Sequence, residues 1–87
     1  MMNKNTDTLK LETAHSHTLR NRSEIERSQN CACICCKHIF QATEVKNYID
    51  NDSTALCPYC DCDAVLADAA GFKLTPQLLR QLNEYYF

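Results

Sequence analysis

The chain has 87 residues, 45% of them hydrophobic, with nine Lys/Arg against eleven Asp/Glu, one glycine and seven cysteines. That length allows one small domain, and no run approaches the 18 or so apolar residues of a membrane span. A net charge of −2 gives no basic stripe of the kind phosphate binding requires, which argues against a nucleic-acid binder.

Residues 1–30 hold no cysteine, glycine or proline, and five Lys/Arg against four Asp/Glu. Leu9, Leu11, Leu19 and Ile25 are scattered without a period. Ser23-Glu-Ile-Glu26 has capping-box form and opens a short helix at most, with no apolar face to dock it. The segment reads as a flexible arm, or as an arm that orders on a partner. His15 and His17 sit in it as an i, i+2 pair of surface side chains. Met1 to Lys10 lacks the apolar core of a secretory signal, so the expected location is the cytosol, where thiols stay reduced.

Residues 31–87 carry every cysteine and every aromatic residue. Lys37, Lys46, Lys73 and Arg80 face seven acids (Glu44, Asp50, Asp52, Asp61, Asp63, Asp68 and Glu84), so this part is acidic. At about 57 residues its core alone supplies only a few kcal/mol, and a metal or disulfides usually supply the remainder. An odd number of cysteines in a reducing compartment favours the metal.

Ala32 to Phe40 reads as a metal knuckle entering a short strand. Ala42 to Ile49 has two readings: a short helix capped by Thr43, with Val45 and Ile49 on one face, or one arm of a hairpin. Asp50-Asn-Asp-Ser53 is a turn signal, and Thr54-Ala-Leu56 a strand delivering Cys57. Asp61 to Ala70, ending at Gly71, favours a helix over a short strand through Ala64–Leu66. Thr75-Pro76 is the clearest helix start, followed by the stripe Leu78, Leu79, Leu82, Tyr85 and Tyr86. A helix of about eleven residues is marginal alone, so it must dock on the metal-bound unit.

The cysteines carry the chemistry. Cys33-Ile-Cys-Cys36 and Cys57-Pro-Tyr-Cys60 are two C-x2-C pairs separated by 20 residues. Two residues between sulfurs let one turn present both to one ion, and two turns complete a tetrahedral Zn²⁺ site. The candidate ligands are therefore Cys33, Cys36, Cys57 and Cys60. Cys31, Cys35 and Cys62 are left over as packing or surface thiols. The rivals are a second ion sharing bridging sulfurs and substitution of one thiolate by His38. A closed four-sulfur site leaves no position for water or substrate, which argues for architecture over catalysis, so no enzyme is expected.

Cys57-Pro-Tyr-Cys60 is also the redox tetrapeptide of glutaredoxins, but too little chain follows it for that fold. Rubredoxin-like iron would use the same thiolates, with glycine after each pair to allow φ > 0. Here Lys37 and Asp61 stand at those positions. Their presence tilts the expectation toward a treble clef, with the second pair opening a helix, rather than a zinc ribbon with two knuckles. The expected fold class is a small metal-stabilised α+β zinc finger of one of these two types, with a docked C-terminal helix.

The stretch Thr54-Ala-Leu-Cys-Pro-Tyr-Cys-Asp-Cys-Asp-Ala-Val-Leu66, then Gly71-Phe, Leu74-Thr-Pro76 and a terminal Tyr-Tyr-Phe87, resembles a family of small bacterial cytoplasmic zinc-finger proteins. Its motif is ALCPYC-x-x-D-x-V-[IL]. The resemblance covers about residues 33–87 and departs at Asp61, where the family has glycine. It implies a zinc-binding bacterial cytosolic protein and supplies no activity. The sequence thus supports a small zinc scaffold acting by protein–protein binding, through its acidic surface, on a basic partner. An inhibitor or immunity protein covering a basic enzyme surface is one form of this. The alternative is a nucleic-acid-binding or transcription-associated zinc finger resting on Arg20, Arg22 and Arg27.

Overall fold

A short strand through the first cysteines organises the molecule. The computed structural model describes residues 6–87. β1 (Asn30–Cys33) runs between β2 (Ile39–Gln41) and β5 (Val65–Ala67), antiparallel to both. Cys31 faces Phe40 on one side and Ala67 on the other, and Cys33 faces Val65. Cys31, Ala32 and Cys33 have no solvent exposure, and neither do Val65, Leu66 and Ala67. Small side chains on β1 allow both faces of so short a sheet to be covered.

β3 (Tyr48–Ile49) and β4 (Thr54–Ala55) form a separate hairpin, with Tyr48 opposite Ala55. Its turn places Asp50, Asn51 and Asp52 all at positive φ (56°, 58° and 63°). Asn and Asp are the non-glycine residues that tolerate this region best, which is why the turn needs no glycine. Of the two readings of Ala42 to Ile49 the hairpin arm holds, and the helix capped by Thr43 does not: Gln41 caps one short turn and Ile49 lies in a strand. Ala42–Glu44 is a 3₁₀ turn, tied by the Gln41 N–H donating to the Glu44 carboxylate at 3.0 Å, and Tyr48–Ile49 is the hairpin arm.

Residues 61–70 do not form the expected helix. Val65–Ala67 pairs with the open edge of β1, and only Asp68–Ala70 winds into a 3₁₀ turn. Gly71 takes the left-handed conformation, φ 97°, and ends that turn instead of the expected helix. The Asp68 carboxylate accepts the N–H groups of Gln29 and Asn30, at 3.2 and 2.9 Å, and so holds the start of β1.

α3 (Pro76–Tyr86) forms as the Thr75-Pro76 start predicts. Thr75 Oγ1 accepts the Leu78 N–H at 3.1 Å, and Leu78, Leu79 and Leu82 are buried. Tyr85 is 47% exposed, so the stripe is narrower than its sequence suggests.

The segment before Cys31 is the largest correction. Residues 6–30 are not an arm separate from the cysteine domain. They form α1 (Thr6–Ser16) and α2 (Arg22–Glu26), and Ala14 and Ile25 are buried in the common core. The weld lies between the helices. Asn21, 2% exposed, donates through Nδ2 to the Val65 carbonyl at 2.7 Å and accepts the Ala55 N–H at 3.1 Å, joining the two sheets. The fully buried Thr54 hydroxyl accepts the Arg20 N–H at 2.8 Å and faces the Asp50 carboxylate at 3.1 Å. The Arg22 N–H reaches the Ser53 carbonyl at 2.9 Å. His15 and His17 diverge: His15 stacks on Tyr86 with ring centroids 3.8 Å apart, and His17 Nδ1 lies 2.8 Å from the Glu24 carboxylate. No helix among the described residues is long and apolar enough to cross a membrane.

Candidate metal centre

Each cysteine pair is presented by the same backbone device. In the first, the Lys37 N–H bonds the Cys33 carbonyl at 2.8 Å and the Cys33 N–H bonds the His38 carbonyl at 2.9 Å. In the second, the Asp61 N–H bonds the Cys57 carbonyl at 3.0 Å and the Cys57 N–H bonds the Cys62 carbonyl at 2.8 Å. Both turns therefore close at a residue just after the second sulfur, and that residue must turn left. Lys37 (φ 66°) and Asp61 (φ 64°) do so without glycine. No helix opens at Cys57–Cys60, so the second pair stands on a knuckle like the first, against the treble-clef expectation.

The two knuckles bring Cys33, Cys36, Cys57 and Cys60 together, all four sulfurs within 4.8 Å of one another. Cys33 Sγ is 3.6 Å from Cys60 Sγ, and Cys36 Sγ is 3.7 Å from Cys57 Sγ. A tetrahedral ion with metal–sulfur bonds of about 2.3 Å has sulfur–sulfur edges of about 3.8 Å. Two of the six edges match that length, and the remaining sulfurs stand within 4.8 Å, so the four residues could hold such an ion. All seven cysteines are free thiols.

The electrostatics suit a cation at the centre. Burial pushes the Cys33 thiol up, against the N–H groups of Cys36 and Cys35 that stabilise its sulfur as an anion. Cys57 is raised for the same first reason, opposed by the N–H groups of Tyr59 and Cys60; the Tyr59 N–H lies 3.3 Å from its sulfur. At Cys60 burial also acts to raise the thiol, but the Cys62 N–H and the sulfurs of Cys33, Cys36 and Cys57 outweigh it and bring it to about 7. Thiols crowded this closely cannot all ionise beside one another. A bound metal reverses that penalty and deprotonates them outright.

Four side chains whose roles the spacing of cysteines does not reveal, Asn83, Tyr59, His38 and Glu44, hold the knuckles. Asn83 on α3 donates through Nδ2 to the carbonyls of Ile34 and Cys35, both at 3.1 Å, clamping the first knuckle to the last helix. Tyr59 stacks on His38 with centroids 4.2 Å apart and donates its hydroxyl to Glu44, bracing one knuckle against the other. The Glu44 carboxyl is accordingly held below its ordinary range, first by Tyr59 and then by the Gln41 N–H. His38 is not one of the four gathered ligands; its Nδ1 lies 3.4 Å from Cys36 Sγ, where it can orient that sulfur. An Asn in a terminal helix and an aromatic inside a C-x2-C pair give no periodic signal, so only the fold reveals their roles.

The leftover cysteines part company. Cys31 is sealed in the sheet, its thiol pushed up to about 12 by burial and then by the Asp68 charge. Cys35 and Cys62 are half-buried and lie with Cys60 in a second group of three sulfurs, again within 4.8 Å of one another.

No protein-family model, curated protein or solved structure matches the chain.

Proposed function

We propose that this protein is a small zinc-binding scaffold of zinc-ribbon type that acts by binding another protein rather than by catalysis. The observation carrying the reading is the four-sulfur cluster, whose 3.6 and 3.7 Å separations match the edges of a closed tetrahedral site. Zinc is the ion that four thiolates on two knuckles hold as a structural element, and a full sulfur shell keeps no position for substrate. The acidic balance of residues 31–87 suits a basic partner and would speed its association. A cytosolic inhibitor or immunity protein is the form of partner binding that this size and charge favour.

The nucleic-acid alternative has weak local support. The Arg22 guanidinium lies 4.4 Å over the Tyr48 ring, pairs with Glu26 at 3.1 Å and donates to the Asp52 carbonyl, so its charge serves the fold. Arg27 donates to the Ser23 carbonyl.

Elemental analysis of the purified protein is the first test. Zinc bound by Cys33, Cys36, Cys57 and Cys60, lost on Cys57→Ser, supports the site; a protein that binds no metal sinks it. Salt-dependent binding of DNA or RNA in a gel shift would overturn the protein-binding half in favour of the alternative. Stoichiometric, salt-sensitive capture of a basic protein would support it.

A further inference from the structure

Cys35, Cys60 and Cys62 form a second thiol group that the four-sulfur site does not use up. Their sulfurs all lie within 4.8 Å of one another, and Cys60 belongs to both groups. We propose that a second Zn²⁺ binds between Cys35, Cys60 and Cys62, with the Cys60 sulfur bridging the two ions. This rests on the zinc reading above.

Four features of the structure support it. The backbone that fixes the first site also fixes the second: Cys35 lies inside the first knuckle, between two ligands, and its carbonyl is held by Asn83. Cys62 follows the second knuckle, with its carbonyl closing that turn onto the Cys57 N–H at 2.8 Å. The positions of all three sulfurs are therefore set by elements already locked in place, which is the condition for a preorganised site. Next, Cys60 is the most exposed of the four first-site ligands and the one whose sulfur also lies within 4.8 Å of Cys35 and Cys62. A thiolate in that position can bridge.

The third feature is charge. Six thiolates with two divalent cations carry a formal net −2, the same as one zinc with four thiolates. A monovalent ion in the second position would leave a higher negative charge in a domain that is already acidic. The divalent, thiophilic ion is thus the better match. Finally, Cys31 is the contrast. It is a cysteine of the same cluster in sequence, yet it is sealed in the sheet with no solvent exposure and joins neither group.

The two ions differ in character. The first is closed by four sulfurs. The second has three, on the surface, and its fourth position falls to water or an added donor. It should therefore load last and leave first, and be the one that exchanges with a chelator while the fold persists.

The test uses the full chain, prepared with a non-thiol reductant and titrated with Zn²⁺, with bound ions counted by native mass spectrometry. The wild type should bind two, releasing one to a moderate chelator without loss of its folded spectrum. Cys35→Ser and Cys62→Ser should each bind one and stay folded, while Cys31→Ser keeps two. Replacing zinc with ¹¹³Cd²⁺ should give two resonances in the wild type and one in either variant. A folded wild type that saturates at one ion, or a Cys35→Ser or Cys62→Ser protein that still binds two, overturns this inference and leaves the first site standing. A wild type that binds none overturns the zinc reading itself.

Discussion

Replacing Asn21 with alanine tests whether the segment before Cys31 belongs to the domain. Its amide is buried and makes two hydrogen bonds, to the Val65 carbonyl and from the Ala55 N–H, and Val65 and Ala55 have no exposure. Truncation leaves a buried acceptor and a buried donor without partners, at about 1–3 kcal/mol each. The expected loss is about 2–6 kcal/mol, comparable with the few kcal/mol that the core alone supplies in so small a domain. At a urea dependence of about 1.5 kcal/mol per molar, a loss of 3 kcal/mol lowers the midpoint by about 2 M. Asn21→Asp is the sharper variant. It keeps the shape but turns a carboxylate oxygen toward the Val65 carbonyl, so it should destabilise at least as much. The assay is urea unfolding followed by circular dichroism at fixed free zinc, since metal binding itself shifts the equilibrium. If both variants unfold within 0.5 kcal/mol of wild type, the joint between the two sheets contributes nothing and the separate-arm view returns.

Further expectations can be checked in parallel. Removal of all bound metal by a strong chelator, or Cys33→Ser, Cys36→Ser or Cys57→Ser, should collapse the dispersed amide spectrum in NMR, because structural zinc contributes folding free energy on the order of 10 kcal/mol. Lys37→Gly and Asp61→Gly should be neutral or stabilising by up to about 1 kcal/mol, since relief at positive φ is offset by glycine's chain entropy, whereas Lys37→Val should destabilise by at least about 1–2 kcal/mol in thermal melts. Alkaline pH should weaken the fold through Cys31: its folded thiol is raised to about 12, so its contribution is complete below the unfolded value near 9 and is lost as pH rises toward 12. Urea stability measured from pH 8.5 to 10.5 should therefore fall less steeply in Cys31→Ala than in wild type. Ending the chain after Gly71 removes Leu78, Leu79, Leu82 and the Asn83 clamp, and should leave a molten, dye-binding protein; a cooperative melt would count against the docked helix.

What could be read from the sequence was local. The Thr75-Pro76 start needs only neighbouring residues to cap and orient a helix, and it formed as expected. The C-x2-C pairs also announce themselves, because two sulfurs on one turn are fixed by spacing. The segment 61–70 misled because its alanines and Gly71 favour a helix, while the unpaired edge of β1 demanded a strand. Tertiary hydrogen bonding decided it. Residues 6–30 misled for a different reason. Besides the buried Ala14 and Ile25, they are held by an asparagine amide, a buried threonine hydroxyl and main-chain groups of Arg20 and Arg22, none of which leaves a hydrophobic period. The missing glycines after each cysteine pair tilt the sequence reading away from two knuckles without barring them. Lys37 and Asp61 turn left regardless, because the local strain is only about 1–2 kcal/mol per residue.

Asn83 ties the carbonyls of Ile34 and Cys35 to a helix about fifty residues further along the chain. Retention of an ion at the four sulfurs and docking of α3 would therefore be coupled. Whatever pulls α3 away loosens the first knuckle, and whatever empties the knuckle frees α3. Reciprocity requires each to report on the other by the same factor. A protein that gripped the last helix would thus change how tightly an ion between the four sulfurs is held, without ever touching a sulfur.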